Sequence, residues 1–217
     1  MFKDRMNDLR RRLAEYSGLV EKMIEKSISG LVEKDKDRLT EVINKDEPKA
    51  NKFEILLDEL GTAMIAQFQP KAKDLRTILM ILRMNNDLER MADHAVNISE
   101  DGLFLVSRPQ VKPLIDIPRM AETAMSMVRD SINSFITEDV VLARSVCERD
   151  AIVDGLLDQV LRELITHMVS DSKTIERSIR LMAIARNLER IADLSTNICE
   201  DVIFMVQGKV IKHHFEG

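Results

Sequence analysis

The chain has 217 residues, of which 45% are hydrophobic, 32% charged and 4% aromatic, with 7 Gly and 5 Pro. Leu, Ile, Met, Ala, Glu, Lys and Arg dominate, which favours helices and argues against a sheet protein. The net charge of -5 excludes the basic surface of a nucleic-acid-binding domain, and the lack of any run of roughly 18 apolar residues excludes a transmembrane helix.

Apolar side chains in the first part of the chain predict two amphipathic helices. Over residues 6–31 they recur in alternating steps of four and three, the spacing of one helix face. The charged residues 33–37 should end this first helix. A second helical pattern covers residues 39–68, and Pro48 is expected to kink or interrupt it near 46–47 because proline cannot donate the helical hydrogen bond.

The segment 107–118 holds three of the five prolines and is therefore a predicted linker. Other helices are predicted at 73–106 before it and at 119–136, 138–168 and 172–207 after it, with Gly208 as the C-terminal stop. The predicted fold class is all-α, with six helices in two sequence-related three-helix bundles in tandem. The bundles cover residues 1–107 and 119–217, and the linker covers 108–118.

Part of the third predicted helix is repeated in the sixth. Residues 87–106 and 187–206 are identical at eleven of twenty paired positions, without a gap. Polar groups are kept as well as core-forming ones: Glu89 and Glu189, Asp93 and Asp193, Asn97 and Asn197, Glu100 and Glu200, and Asp101 and Asp201. A repeat that only filled a core could vary its charges, so the matched carboxylates indicate function.

Residues four apart share one face of a helix, so the matched residues form two columns of oxygen donors. The columns are Glu89, Asp93 and Asn97, and Glu189, Asp193 and Asn197. Each lies beside an apolar seam and so at the edge of the core. Like charges at this spacing repel by a few tenths of a kcal/mol, which a cation or a neighbouring side chain should offset.

The residues opposite each column follow from the numbering. Antiparallel helices joined by a short turn bring residues equidistant from that turn to one level. With turns at Pro70 and between Asp171 and Ser172, the facing residues are Glu47 and Asn51 in the first half, and Asp150 and Asp154 in the second.

Carboxylate and amide oxygens without His or Cys suit hard cations, namely Mg, Mn, Ca or Fe, with Zn possible. A single acidic pair on a charged helix is usually a solvated face, but the duplication and the matching turns favour a metal site. A ferritin-like di-iron enzyme requires Glu-x-x-His on two helices, which neither copy has. His94 is replaced by Leu194 in the second copy and is interpreted as a packing or peripheral contact.

The two cysteines, Cys147 and Cys199, are interpreted as small core residues rather than reactive thiols. Their spacing indicates neither a disulfide framework nor a zinc knuckle. The N-terminal residues lack the apolar core of a signal peptide. We therefore expect a reducing, cytoplasmic setting, with any membrane association peripheral and made through partners.

Several stretches carry more specific motifs. They are QPKAKDLR at 69–76, LERMAD at 88–93 followed by NI at 97–98, LERIAD at 188–193 followed by NICED at 197–201, and GKVIKH at 208–213. Together they resemble the PhoU family of phosphate-signalling regulators over nearly the whole chain.

The resemblance implies two similar three-helix bundles, often dimeric, that bind metal ions through E(D)xxxD motifs, with Mg, Mn, Fe and Zn all open. The metal candidates carried over by position are Glu47, Asn51, Glu89, Asp93, Asn97, Asp150, Asp154, Glu189, Asp193 and Asn197. Pro48 lies inside the Glu47 to Asn51 pair and departs from the family pattern. The second-half set is therefore the stronger candidate.

The resemblance also implies a non-enzymatic, cytoplasmic regulator that forms a homodimer and represses phosphate uptake and phosphate-starvation signalling. Its implied partners are the ATPase of a phosphate ABC transporter and a phosphate-sensing histidine kinase. Three alternatives remain: a carboxylate-bridged metal-dependent hydrolase or oxidase, an accessory protein of another phosphate transporter, and a helical scaffold without metal.

Overall fold

The structure is a computed structural model that describes residues 1–207. Its helices are α1 (Phe2–Glu33), α2 (Lys36–Glu41), α3 (Glu47–Phe68), α4 (Ala72–Val106), α5 (Asp116–Thr137), α6 (Val140–Ser170) and α7 (Ile175–Gln207). No strand occurs in that range, which confirms the all-α class. The predicted stop at Gly208 and the rest of the C-terminus lie outside the described residues.

Helix α1 forms because its apolar residues share one face. The predicted seam is buried, with Leu9, Leu13 and Val20 among its fully enclosed side chains. The helix ends where Lys34 adopts a left-handed conformation, φ 60°, and its backbone N–H donates to the carbonyl of Gly30. The charged turn therefore ends α1 where the sequence predicts.

The interruption that Pro48 predicts is present. Helix α2 gives way to a π-helical turn at Val42–Asp46, and α3 then begins at Glu47 with Pro48 in its first turn. The first turn of a helix has no intrahelical partner for its N–H groups, so proline fits there without losing a bond. The wider π turn takes up the break in the hydrogen-bond ladder.

Asp46 anchors this interruption to α1. Its carboxylate is 3% exposed and accepts hydrogen bonds from Lys26 Nζ at 2.6 Å and Lys49 Nζ at 2.8 Å. Burial acts to raise the pKa of Asp46, but the two lysine hydrogen bonds outweigh it and hold that pKa below its ordinary value. Asp46 therefore contributes stability above the pKa of the unfolded carboxyl, and this stability is lost as pH falls through the folded value.

We expect Asp46→Asn to lower the free energy of unfolding at pH 7 by about 1–3 kcal/mol, because charge-assisted hydrogen bonds to buried groups are worth this much. The difference from the wild type should shrink below about pH 4, where the carboxyl is protonated. Urea unfolding at pH 7 and near pH 3 measures both. The control is Asp37→Asn at an exposed position, and an equal loss in the two variants would contradict the anchoring role.

The two predicted hairpins are present, and their register agrees closely with the numbering. Asn85 and residue 55 are equally far from Pro70, so residue 55 is predicted to face Asn85. Asn85 Nδ2 donates to the Glu54 carbonyl at 2.9 Å and to Asp58 Oδ1 at 3.3 Å. The second hairpin turns at Asp171, which caps a 3-10 turn at Ser172–Thr174.

The connection between the halves is shorter than the predicted linker. Helix α5 begins at Asp116, so residues 116–118 are helical rather than irregular. The reason is again the position of a proline, because Pro118 falls in the first turn of α5, where it is tolerated. Lys112 holds the connection down through ion pairs with Asp116, at 3.4 Å, and with Glu163 of α6.

The helices pack as two groups of three that share one core. Helices α1, α3 and α4 pack together, as do α5, α6 and α7, while α4 packs against α7 and α1 against α5. A single cluster of buried apolar residues runs through both groups. No helix within residues 1–207 is both long and apolar enough to cross a membrane.

Candidate functional site

The second-half carboxylates lie together between α6 and α7. Glu189 and Asp193 are on α7, with side chains 22% and 39% exposed, and α6 carries Asp150, half-buried, and Asp154, exposed. Glu189 interacts electrostatically with Asp193 on its own helix and with Asp154 and Asp150 across the interface. Glu189 therefore lies within electrostatic range of the other three carboxylates predicted for this half. We call Asp150, Asp154, Glu189 and Asp193 the second-half cluster.

The charges of this cluster work against one another. Burial, followed by repulsion from Asp193, raises the pKa of Glu189, and Asp154 and Asp150 add to the effect. The pKa of Asp193 is likewise raised by burial and by Asp154. A carboxyl with a raised pKa makes the folded protein less stable as pH rises through that value. A bound cation would remove this cost.

The nearest basic side chain does not neutralise the cluster. Arg190 Nε lies 3.7 Å from Glu189 Oε2, and Arg190 Nη1 lies 3.9 Å from Asp193 Oδ2, with the arginine side chain 62% exposed. Solvent screens an ion pair of this length and exposure. Arg190 lowers the pKa of both carboxyls, yet each remains raised, so the negative charge is only partly compensated.

The first half has a related but different arrangement. Burial raises the pKa of Glu89, followed by repulsion from Asp93 and from Glu54 of α3, with a side-chain hydrogen bond to Asp93 in the same direction. Glu54 is not among the residues that the numbering predicts to face Glu89. It lies on α3, one turn beyond Asn51, and the hydrogen bonds of Asn85 place that turn opposite α4.

Tyr16 lies beneath the first-half carboxylates. Its ring is fully buried and stacks on Phe53, with centroids 5.5 Å apart and planes 8° from parallel. Its hydroxyl has no hydrogen-bond partner among the described residues. Burial, then the charges of Glu54, Glu89 and Asp93, raise the pKa of Tyr16 far above its ordinary value, so the hydroxyl stays protonated beside the acids.

The other candidates lie at the margins of these groups. Glu47 is half-buried in the first turn of α3 beside Pro48, and Asn51, Asn97 and Asn197 are exposed. The charged groups that shift the pKa of Glu89 include Asp93, Glu54 and Arg90.

The donor chemistry of the second-half cluster fits a hard cation, because carboxylate oxygens are ligands that Mg, Mn and Fe prefer in proteins. Within residues 1–207, however, no three Asp, Glu, His or Cys side chains already stand in an arrangement that could hold a metal ion. The carboxylates share a surface, and rotation of their side chains would be needed to converge on one ion.

The match between Asp101 and Asp201 in the two repeats is explained by helix packing rather than by a metal site. Asp101 of α4 accepts from Arg180 Nη1 at 2.7 Å, and Asp201 of α7 pairs with Arg83 Nη1 at 3.5 Å. Each bond joins one repeat to the other, so the repeated Asp serves the packing of α4 against α7.

His94 belongs to the same interface between the repeats. Asn187 Nδ2 donates to the Ala183 carbonyl, which leaves Asn187 Oδ1 to face His94 Nδ1 at 2.8 Å. His94, predicted to make a packing or peripheral contact, therefore makes a packing contact between the two repeats.

Comparison with known proteins identifies the family of this chain. The model of the PhoU domain matches this chain twice, at residues 13–102 and 117–202. The chain belongs to the PhoU family. The "Phosphate-specific transport system accessory protein PhoU homolog" of Aquifex aeolicus is 37% identical over 213 residues, covering 98% of this chain and 96% of that protein. Homolog 2 of Thermotoga maritima is 32% identical and covers 98% of this chain and 90% of that protein.

A solved structure shows the same architecture at full length. The crystal structure of PhoU from Pseudomonas aeruginosa matches with a TM-score of 0.92 and 31% identity, covering 96% of this chain and 100% of that chain. The two PhoU domain matches fall one in each half and contain every predicted metal candidate. The duplicated motifs are therefore features of a repeated PhoU domain.

Proposed function

We propose that this chain is a non-enzymatic accessory regulator of a phosphate-specific transport system. The observation that carries the proposal is the match over 98% of the chain, at 37% identity, to a protein named for that role. The fold supports it, because an all-helical body with charged outer faces is suited to docking. The partners we propose are the transporter ATPase and a phosphate-sensing histidine kinase, which the protein binds at the cytoplasmic face of the membrane. By binding them it represses phosphate uptake and phosphate-starvation signalling when phosphate is plentiful.

We further propose that the second-half cluster binds a divalent or iron-type cation. The support is the mutual repulsion of its carboxylates: the pKa of Glu189 and that of Asp193 are both raised, and the solvent-screened Arg190 offsets the negative charge in part. A cation would brace α6 against α7 and give that face a fixed shape. The first half carries a second candidate at Glu54, Glu89 and Asp93, and Glu47 and Asn51 remain its predicted residues on the facing helix. The homodimer implied by the resemblance also remains a proposal.

Affinity capture tests the regulatory role. Tagged protein isolated from cells grown in ample phosphate, with Mg and Mn kept in the buffers, is expected to retain the transporter ATPase and the kinase. Recovery should fall in phosphate-starved cells, because repression is needed only when phosphate is plentiful.

The matched controls for capture are two double variants with equal charge. Glu189→Gln with Asp193→Asn alters the cluster, whereas Glu122→Gln with Asp158→Asn alters exposed positions outside it. Loss of capture only in the cluster variant would support a metal-braced docking face. Retention of neither ATPase nor kinase at any phosphate level would overturn the regulatory role.

A further inference from the structure

A groove lies where α7 of the second repeat meets α4 of the first, and we call it the inter-repeat groove. Its volume is about 510 Å³, within the range of sites that hold small ligands. The junction of two packed units is also a common place for such sites. The side chains that line it include His94 of α4 and Ile179, Met182, Arg186, Asn187 and Arg190 of α7.

The inter-repeat groove is basic, although the chain has a net charge of -5. Arg186 and Arg190 both line it, and no Asp or Glu of residues 1–207 does. Residues four apart on a helix share one face, with Cβ atoms about 5–6 Å apart, and like charges at this spacing repel. An anion bound between the two guanidinium groups would remove that repulsion.

The donors of these two arginines are free to bind a ligand. Arg186 makes no hydrogen bond or ion pair within the part of the chain that the structure describes. Arg190 lies 3.7 Å from Glu189 and 3.9 Å from Asp193, and both distances are too long for a hydrogen bond. Each guanidinium therefore keeps its five N–H donors, held in a planar fork that matches the oxygens of a phosphate group.

Hydrogen bonds fix the shape of the groove between the two helices. His94 Nδ1 of α4 lies 2.8 Å from Asn187 Oδ1 of α7, and Asn187 Nδ2 donates to the Ala183 carbonyl at 2.9 Å. The wall opposite the arginines is therefore tied to α7 before any ligand arrives. A site that is formed in advance loses less affinity to the ordering of its side chains.

One end of the groove is apolar. Ile179 precedes Arg186 by seven residues, about two helical turns, and it is 54% exposed. Met182, half-buried, lies between them. Apolar side chains beside free guanidinium groups suit a ligand that joins an anionic group to an apolar or aromatic one.

The first repeat does not carry the same charges. Asn86 stands at the equivalent of Arg186, and Asp87 at the equivalent of Asn187. The equivalent face of α4 therefore lacks one arginine and gains an acid. The pair of free arginines is a feature of the second repeat and not of the duplicated motif.

We propose that the inter-repeat groove binds a small molecule that carries a diphosphate group, with the phosphates between Arg186 and Arg190. One guanidinium donates to each phosphate, and the negative charge of the ligand offsets the repulsion between the arginines. A nucleoside diphosphate also places its base against Ile179 and Met182, whereas inorganic pyrophosphate occupies the basic end alone. This site goes beyond the proposed regulatory role and depends on neither the partners nor a bound metal.

Isothermal titration calorimetry of the purified full-length protein tests the site, with EDTA present so that the carboxylates hold no metal. The probes are ADP, pyrophosphate, adenosine and a short glutamate peptide. We expect ADP and pyrophosphate to bind saturably at one site per chain, and adenosine not to bind. ADP should bind more tightly than pyrophosphate because it also covers apolar surface. Equal affinities would identify the inorganic anion as the source of the diphosphate.

Arg186→Gln should weaken the binding of both ADP and pyrophosphate by about tenfold or more, since a hydrogen bond between charged groups is worth this much. Arg186 is exposed and does not contact the second-half cluster, so the variant should fold as the wild type does, which circular dichroism melting checks. The matched control is Arg144→Gln, which removes an exposed arginine of α6 outside the groove. It should bind both probes with wild-type affinity.

Methyl NMR of isotope-labelled methionines shows where the ligand lies. The Met182 signal, assigned with Met182→Leu, should shift when ADP is added, whereas the signal of Met23, fully buried in α1, should not. The proposal is overturned if neither ADP nor pyrophosphate binds saturably, or if Arg186→Gln binds them as the wild type does. It is also overturned if the glutamate peptide binds more tightly than both, because the groove would then be a docking surface for an acidic protein segment.

Discussion

Replacing Glu189 with Gln and Asp193 with Asn together is expected to weaken binding of Mn²⁺ to the second half by more than about 100-fold. The loss should exceed the roughly 10–100-fold that removal of a supporting group costs a metal site, because these two side chains are proposed as direct ligands. Their carboxylates carry the raised pKa values of the cluster, and the amides cannot neutralise a divalent charge. Isothermal titration calorimetry, and elemental analysis after dialysis, measure affinity and stoichiometry.

Without metal, the same variant should be more stable to unfolding than the wild type. In the wild type without metal, the raised pKa values mean that folding is favoured as pH falls through them and disfavoured as pH rises. Removing the charges should therefore raise the melting temperature of the metal-free protein near pH 7 and flatten its dependence on pH. Adding Mn²⁺ should stabilise the wild type but not the variant.

The control for both measurements is Glu122→Gln with Asp158→Asn, which removes two negative charges from exposed positions outside the cluster. It should bind Mn²⁺ as the wild type does. If the cluster variant binds with wild-type affinity and stoichiometry, the four carboxylates are only a solvated face.

Tyr16→Ala is expected to lower the free energy of unfolding by about 3–5 kcal/mol, the range for deleting a buried aromatic ring. Tyr16 is 0% exposed and stacks on Phe53, so its removal opens a cavity under the first-half carboxylates. Tyr16→Phe should instead be neutral or stabilising by up to about 1 kcal/mol, because it removes a buried hydroxyl that has no hydrogen-bond partner among the described residues. Urea unfolding of the metal-free protein gives both values.

The sign of the Tyr16→Phe change is the informative result. A loss of more than about 1 kcal/mol would show that the hydroxyl is hydrogen-bonded in solution. The finding that the first-half acids face an unsatisfied donor would then be wrong. Leu13→Ala, at a fully buried position on the same helix face, serves as the reference for an ordinary cavity.

Local features of the sequence determined most of the fold. The seam of α1 follows from spacing, because a helix places residues three and four apart on one face. Pro48 and Pro118 act through their missing N–H, so their positions decide where helices can begin. The sequence predicts that α5 begins at 119, three residues after its start at Asp116, because Pro118 fits a linker as well as the first turn of a helix. The repeat predicted two similar bundles, and the PhoU domain matches both halves.

The residues of the second-half cluster could also be predicted from the sequence. Its four carboxylates lie on two antiparallel helices joined by a short turn, and that geometry converts numbering into level along the bundle. The same counting does not single out Glu54, because facing residues on packed helices are set by side-chain direction as well as by level. Whether the carboxylates hold a metal remains a prediction.

Only the tertiary structure decided how the repeats use their matched charges. Asp101 and Asp201 belong to the same repeated motif as Asp93 and Asp193, yet they bind arginines of the other repeat. Periodicity reports which face of a helix a residue occupies, but not which helix covers that face, and that choice depends on the packing of the whole core.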